Sequence, residues 1–254
     1  MISKIIGVVG GAGPYAGLDL VHKIFDHTLA STDQEHLPVA LLSYPGEIPD
    51  RSAFLLGKSE ENPGIALAHI VRQLESLGAS VVGIPCHTAH APLIFDAMKN
   101  ELAREGSRAQ VLHIAEQTAL FVMKHFPSNR RLGILSTTGT RKAQIYSKAF
   151  QSQGIAFVGP SAQVQENVHR AIYDPNFGIK AKSNPVTSQA RQMVLDAIAA
   201  LKAEGSEAVV LACTELPLAI AEKTLSGIAI IDPTVALARA LIEVVNPKKL
   251  RPFD

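Results

Sequence analysis

Two stretches, VVGIPCHTAH (Val81–His90) and AVVLACTELP (Ala208–Pro217), decide how this chain is read. Each is a short apolar, β-branched run that reaches a cysteine, then a threonine, then residues at helical spacing. A run of that length bounded by a turn reads as a buried strand, and the stretch behind it as a helix. Working outward, IIGVVGGAGP (Ile5–Pro14) and RLGILSTTGT (Arg131–Thr140) are both a strand followed by a turn of small residues. VLHIAEQTAL (Val111–Leu120) and AIIDPTVALA (Ala229–Ala238) form a third matching pair. From Gly7 to Cys86 is 79 positions and from Gly133 to Cys213 is 80, so the three pairs keep register. One supersecondary plan is used twice.

Strands are expected at Lys4–Val9, Val39–Ser43, Ser80–Ile84, Val111–Ile114, Arg131–Leu135, Ile155–Val158, Ala208–Leu211 and Ile228–Ile231. Helices are expected at about 14–30, 64–77, 88–105, 115–126, 139–153, 161–173, 185–204, 214–224 and 233–245. Alternation of this kind predicts an α/β fold, and the repeat predicts two similar parallel-sheet α/β domains; if these pack about a pseudo-twofold axis, the two cysteines face one another across a cleft between them. No Pro-, Gly- or Ser-rich linker separates the halves, so they should exchange elements. The expected division is 1–110 plus 226–254 for the first domain and 111–225 for the second.

Composition bounds the function. With 254 residues, 47% apolar and 19% charged, the chain can bury a substantial core. A net charge of +1 argues against nucleic acid, which needs a clustered basic surplus. The opening MISKIIGVVGG is too short for a signal segment and far short of the roughly 20 residues of a membrane span. It reads as a buried first strand. Two cysteines so far apart make neither a disulfide framework nor a CxxC metal site, and a cytoplasmic protein is expected.

Each cysteine follows a buried strand and precedes a helix, and ligands of open α/β sheets bind at the carboxyl ends of strands. Helix N-terminal amides and the positive dipole end are expected to lower the thiol from its usual ~8.5. An inert buried thiol is the ordinary reading of one such cysteine. Two at equivalent points of a repeat point to proton transfer at carbon, one thiolate removing a proton while the opposite thiol delivers one. Thr88 and Thr214 offer hydroxyls to a carboxylate or amine, or simply cap helices. Glu215 can hold an ammonium or sit in a first helical turn.

Gly10, Gly11 and Gly13 open a helix at Pro14 without completing GxGxxG, and no Walker lysine follows. A glycine turn presenting amides to a small carboxylate fits better than a dinucleotide site. Its counterpart, Thr137–Thr140, adds hydroxyls. Arg51 lies in a proline-marked loop, Ile48–Ser52, and Lys180 follows the loop Tyr173–Asn176. Exposed loop cations are ordinarily just solvated. His90 and His113 are read as core or cap residues.

The segments GVVGGAGPYA, DQEHLPV, IPDRSAFLLGK, IPCHTAH, LSTTGT, GIKAK and LACTELPL, in this order, resemble the aspartate/glutamate racemase family and its aspartate racemase branch. The resemblance implies PLP-independent racemisation with no cofactor and no metal, by two similar α/β domains with the active site in the cleft between them, in proteins that are often homodimers. It implies Cys86 and Cys213 as the acid/base pair, and Arg51 and Lys180 as binders of substrate carboxylates with Tyr173 nearby. Thr88, Thr137, Thr140 and Thr214 would contact the substrate's backbone groups, with Asp50 and Glu215 as supporting acids. A dicarboxylic substrate gives a dedicated arginine fork its purpose. One departure stands out: His87 occupies the position where the family usually carries Asn. The expected function is therefore racemisation of aspartate or a related acidic amino acid. The alternatives are another enzyme of the superfamily, such as a maleate isomerase or decarboxylase, or a non-catalytic binder of acidic ligands.

Overall fold

Ile5–Val9 forms β1, with Ile6, Val8 and Val9 fully buried, because a strand flanked by strands and covered on both faces must be apolar on both. The computed structural model describes residues 4–128 and 131–253; Met1–Ser3 of the opening stretch lie outside them. In chain order the first part continues α1 (Pro14–Asp26), β2 (Val39–Leu42), α2 (Arg51–Leu55), α3 (Pro63–Ser76), β3 (Ala79–Gly83), α4 (Pro92–Arg104), β4 (Gln110–Leu112) and α5 (Ile114–His125). The second part runs β5 (Leu132–Ser136), α6 (Thr138–Lys142), α7 (Ile145–Gln151), β6 (Phe157–Val158), α8 (Ala162–Tyr173) and α9 (Ser188–Ala203). It ends with β7 (Ala208–Ala212), α10 (Leu216–Ala219), β8 (Thr224–Leu225) and β9 (Ile228–Ile231), and α11 (Pro233–Val245) follows.

The chain divides into two compact units, one holding the residues up to Gln117 and from Thr234 onward, the other Thr118–Pro233. The sheet of the first has the order β2-β1-β3-β4, all parallel. The second has the order β6-β5-β7-β9-β8, parallel except for the terminal β8. Up to that last strand the two orders are the same, as a duplicated plan requires. β3 and β7, each ending at a cysteine, occupy the corresponding inner positions.

The units divide later than the sequence suggests, at 117/118 and 233/234 rather than 110/111 and 225/226. Strand pairing explains the difference: β4 pairs with β3, and β9 pairs with β7, so each stays with the sheet it completes. The C-terminal helix α11 then returns to the first unit. Leu237, Ala238, Leu241 and Ile242 pack there with Ile6, Val8, Leu20 and Ile24. Each fully buried aliphatic side chain of this kind contributes about 1.5–3 kcal/mol.

Three expected helices are shorter or broken. Residues 88–105 divide into a 3₁₀ turn, His87–His90, and α4, with Pro92 at the first position of the new helix. Residues 139–153 divide at Gln144, whose φ of 53° is left-handed. Residues 214–224 yield only the single turn of α10, because Thr224–Leu225 pairs antiparallel with Ile228–Ala229 across a tight Ser226–Gly227 turn. No helix among the described residues is long and apolar enough to cross a membrane.

Candidate active site

In the first unit, the turn after β1 is held against the neighbouring strand. The Gly10 N–H donates to the Leu42 carbonyl at 2.8 Å. A Cβ at Gly11 would lie 2.8 Å from the Tyr44 backbone, so no larger residue fits there without moving that loop. Gly13 precedes α1 in an extended conformation and Pro14 starts it, leaving first-turn amides without intrahelical partners.

Arg51 is the first residue of α2 rather than part of an open loop, and its side chain is buried. The short helix forms because Asp50 caps it, accepting from the Ala53 N–H at 2.6 Å. The Arg51 guanidinium donates to the carbonyls of Ala12 and Pro49, tying the glycine turn to the start of α2. Those bonds fix the direction of the fork.

Cys86 lies three residues beyond β3, buried, with its thiol 3.7 Å from the Thr88 hydroxyl. The next residues, His87–His90, are one 3₁₀ turn and are fully packed. His90 Nδ1 meets the Cys86 carbonyl at 2.9 Å, and His90 Nε2 approaches the Leu112 carbonyl at 3.3 Å. Burial and then neighbouring His113 hold His90 well below the usual imidazole range. It is therefore neutral near pH 7, with one N–H, which the shorter contact assigns to the Cys86 carbonyl. His113 Nε2 in turn lies 3.2 Å from the His90 carbonyl. The core role expected of His90 thus includes bracing the cysteine's backbone.

In the second unit, Thr137 caps α6: its hydroxyl accepts from the Thr140 N–H at 3.2 Å and donates to the Thr140 hydroxyl at 3.0 Å. Both threonines are buried. Around Cys213 the surroundings are charged. The thiol donates to Glu215 Oε2 at 3.0 Å, Thr214 Oγ1 donates to the same oxygen at 3.5 Å, and Lys180 Nζ donates to Glu215 Oε1. Lys180 also stands 5.5 Å from the centre of the Tyr173 ring.

Lys180 reaches this position because its loop folds back on the end of α8. The N–H groups of Ile179 and Lys180 donate to the Ala171 and Ile172 carbonyls, which the helix end leaves without partners. Gly178 permits the turn: a Cβ there would lie 2.6 Å from the Asp174 backbone.

The charge pattern corrects one expectation. Burial and then the Glu215 carboxylate push the Cys213 thiol well above its ordinary value, and Lys180 only partly opposes them. The helix behind Cys213 is a single turn of four residues, too short for a dipole to win. Cys213 is a thiol at neutral pH. Burial pulls Lys180 down, but Glu215, Cys213 and Tyr173 outweigh it and hold the ammonium above the ordinary lysine range. Glu215 is buried between the two and binds both, which its sequence position beside Thr214 does not disclose. Among the described residues, no group of three or more His, Cys, Asp or Glu side chains is placed to hold a metal ion.

Within the units, then, Asp50, Arg51 and the Gly11 turn are brought together in one, and Tyr173, Lys180, Cys213, Thr214 and Glu215 in the other. The family described as Asp/Glu/Hydantoin racemase matches residues 9–241. An aspartate racemase from Picrophilus torridus is 30% identical, with 95% of this chain and 94% of that chain covered and a TM-score of 0.79. An aspartate racemase homologue from Pyrococcus horikoshii OT3 is 24% identical, with 95% and 99% covered and a TM-score of 0.70, a likeness of fold. A glutamate racemase from Pseudomonas aeruginosa (strain UCBPP-PA14) is 26% identical over 180 residues, which are 68% of this chain and 60% of that protein.

Proposed function

The chain belongs to the Asp/Glu/Hydantoin racemase family, and from that premise we propose that it racemises aspartate or a closely related acidic amino acid with Cys86 and Cys213 as acid and base. The observation that carries the proposal is the Lys180–Glu215–Cys213 chain of contacts at the end of β7. It keeps one thiol protonated in the resting protein, ready to deliver its proton to substrate. An inert core cysteine has no use for a buried carboxylate at 3.0 Å.

In one direction the Cys86 thiolate removes the Cα proton, and the Cys213 thiol delivers its own proton to the opposite face. Cys213 is then a thiolate beside Glu215, and Cys86 holds the proton taken from substrate. The other direction is the exact reverse: from that state the Cys213 thiolate takes the Cα proton and the Cys86 thiol donates, which restores the Cys86 thiolate and the Cys213 thiol. General acid–base transfer of this kind contributes about 10²–10⁴-fold each way. Charge developing on the α-carboxylate would be met by the hydroxyls of Thr88, Thr137, Thr140 and Thr214 and by amides of the Gly11 turn. Arg51 and Lys180 would take the substrate carboxylates, and the Arg51 fork suits a bidentate pair.

Aspartate is favoured over glutamate by the motif order and by the 30% identity to an aspartate racemase. A cytoplasmic homodimer belongs to the same proposal, and light scattering of the purified chain tests the dimer. The decisive experiment incubates the protein with L- and D-aspartate and L- and D-glutamate in D₂O without added PLP. Chiral chromatography and mass spectrometry should show racemised aspartate carrying one deuterium at Cα. Unchanged enantiomers without deuterium, at micromolar enzyme over a day, would overturn the proposal.

A further inference from the structure

The second unit contains a cavity of about 260 Å³ that opens beneath α6 and α7. Of the residues proposed above for the reaction only Thr140 lines it; Cys213, Glu215, Lys180 and Thr137 do not. Its wall is apolar where Ile134 of β5 and Phe157 of β6 face it, and polar where Arg141 and Gln165 do.

Three features make this cavity a built site. The first is the orientation of its cation. Gln165 is buried, with its amide N–H group donating to the Ser136 carbonyl at 2.8 Å. Its oxygen accepts from Arg141 Nη1 at 3.3 Å, and the same nitrogen donates to the Pro160 carbonyl at 3.0 Å. One nitrogen of the guanidinium is thus held at the cavity wall. The second is charge: no Asp or Glu lines the cavity, and no ion pair forms to Arg141 among the described residues. The third is backbone strain. Gln144, a lining residue, joins α6 to α7 with φ 53°, a left-handed conformation that costs a non-glycine residue about 1 kcal/mol or more. Such outliers gather at ligand clamps, and here the kink separates the two helices that bound the opening.

We propose that this cavity is a second ligand site, taking a small carboxylate with an apolar or aromatic body. The carboxylate would pair with the Arg141 fork and the body would lie on Ile134 and Phe157. The volume suits a molecule of on the order of ten heavy atoms, at the small end of ligand pockets. Because Thr140 lines the cavity and is bonded to the Thr137 cap, an occupant touches the helix that carries both hydroxyls. Regulation of turnover through α6 rests on the racemase reading; binding does not.

The probe is 3-phenylpropanoate, titrated into protein labelled with ¹³C at isoleucine methyls. Saturable shifts of Ile134 and Ile145, which both line the cavity, are expected. The neutral 3-phenylpropanamide should bind at least about tenfold more weakly, as should the probe to Arg141→Gln. Ser147→Trp, which fills the opening and leaves Arg141 in place, should abolish the shifts. Absence of shifts at millimolar probe, equal affinity for acid and amide, or unchanged binding to the Trp variant would each overturn the site. If binding holds, the probe should change kcat for aspartate in the parent protein and not in Ser147→Trp. Shifts without any racemase activity would retain the site and remove only its link to turnover.

Discussion

Cys86 and Cys213 follow corresponding strands of two sheets with the same order, yet their surroundings differ in kind. Cys86 meets a hydroxyl, and its carbonyl is braced by a neutral imidazole. Cys213 meets a carboxylate that is itself held by an ammonium. Topology was duplicated and chemistry was not. A racemase accepts either enantiomer, so its two proton-transfer groups need equivalent reach but not identical neighbours. In the resting protein the second thiol is committed to the acid form by burial and Glu215.

The largest expected effect tests whether both thiols act. Cys86→Ser and Cys213→Ser should each lower kcat/KM for racemisation by about 10³-fold, within the range of a lost general acid or base. Chiral chromatography of the product from each enantiomer measures it. Because the equilibrium constant of a racemisation is one, both directions must fall equally. A variant that keeps half or more of the parent activity removes its cysteine from the mechanism and dissolves the comparison.

Glu215→Gln sharpens the difference between the loops. Removing the charge withdraws the Glu215 attraction for the thiol proton and leaves burial alone to oppose Lys180. The proton affinity of Cys213 must fall, and alkylation of that thiol by iodoacetamide at pH 8 should accelerate about tenfold per unit of fall. Cys86 should alkylate as before. Site-resolved mass spectrometry over pH 6–10 reads both at once. Racemisation should slow by about tenfold to 100-fold, since Glu215 no longer helps to hold Cys213 in the acid form. Identical alkylation profiles before and after would show that the carboxylate does not govern the thiol.

How much of this was legible beforehand depends on whether the signal was local. Ile228–Ile231 was readable to the residue, because an apolar β-branched run bounded by glycine and proline has one reading. The cysteines were singled out by the repeat, and Arg51 and Lys180 by the family resemblance. The Lys180–Glu215 bond joins residues 35 positions apart, and no local pattern reports which loop folds back on which helix. The break at Gln144 carries neither glycine nor proline, so the helical pattern passed straight through it. The β8–β9 hairpin did leave a signal, the Ser226–Gly227 turn, which the longer helical pattern overrode.

Lys180→Met probes the charged loop through stability. It leaves the Glu215 carboxylate buried without its ammonium, and a loss of about 2 kcal/mol at pH 7.5 is expected from urea unfolding. The folded ammonium is held above the unfolded lysine's ~10.4, so its contribution is whole below that pH and is lost only as pH rises through the folded value. A full loss already at pH 8 would contradict the pairing. Arg51→Met should leave this pH dependence unchanged, since the groups that raise Lys180 are Glu215, Cys213 and Tyr173.

His87→Asn is expected to have the smallest effect. The imidazole at position 87 is buried in the 3₁₀ turn, and its electrostatic effect, a minor one, is to lower His90. Asparagine is smaller but also polar, so a stability change of about 1 kcal/mol or less is expected. His90 should become slightly easier to protonate, because the neighbouring imidazole's repulsion is gone, and ring-proton NMR against pH measures that shift. Its bond to the Cys86 carbonyl depends on the neutral ring, so the cysteine stays in place near pH 7. Activity with aspartate should therefore stay within about fivefold, a change of roughly 1 kcal/mol in the barrier. A loss beyond about 100-fold would need more than 2.7 kcal/mol and would make His87 a participant in the proton transfer. Cys86 would then have a titrating partner of its own, and the asymmetry between the two loops would be one of partner identity rather than of charge.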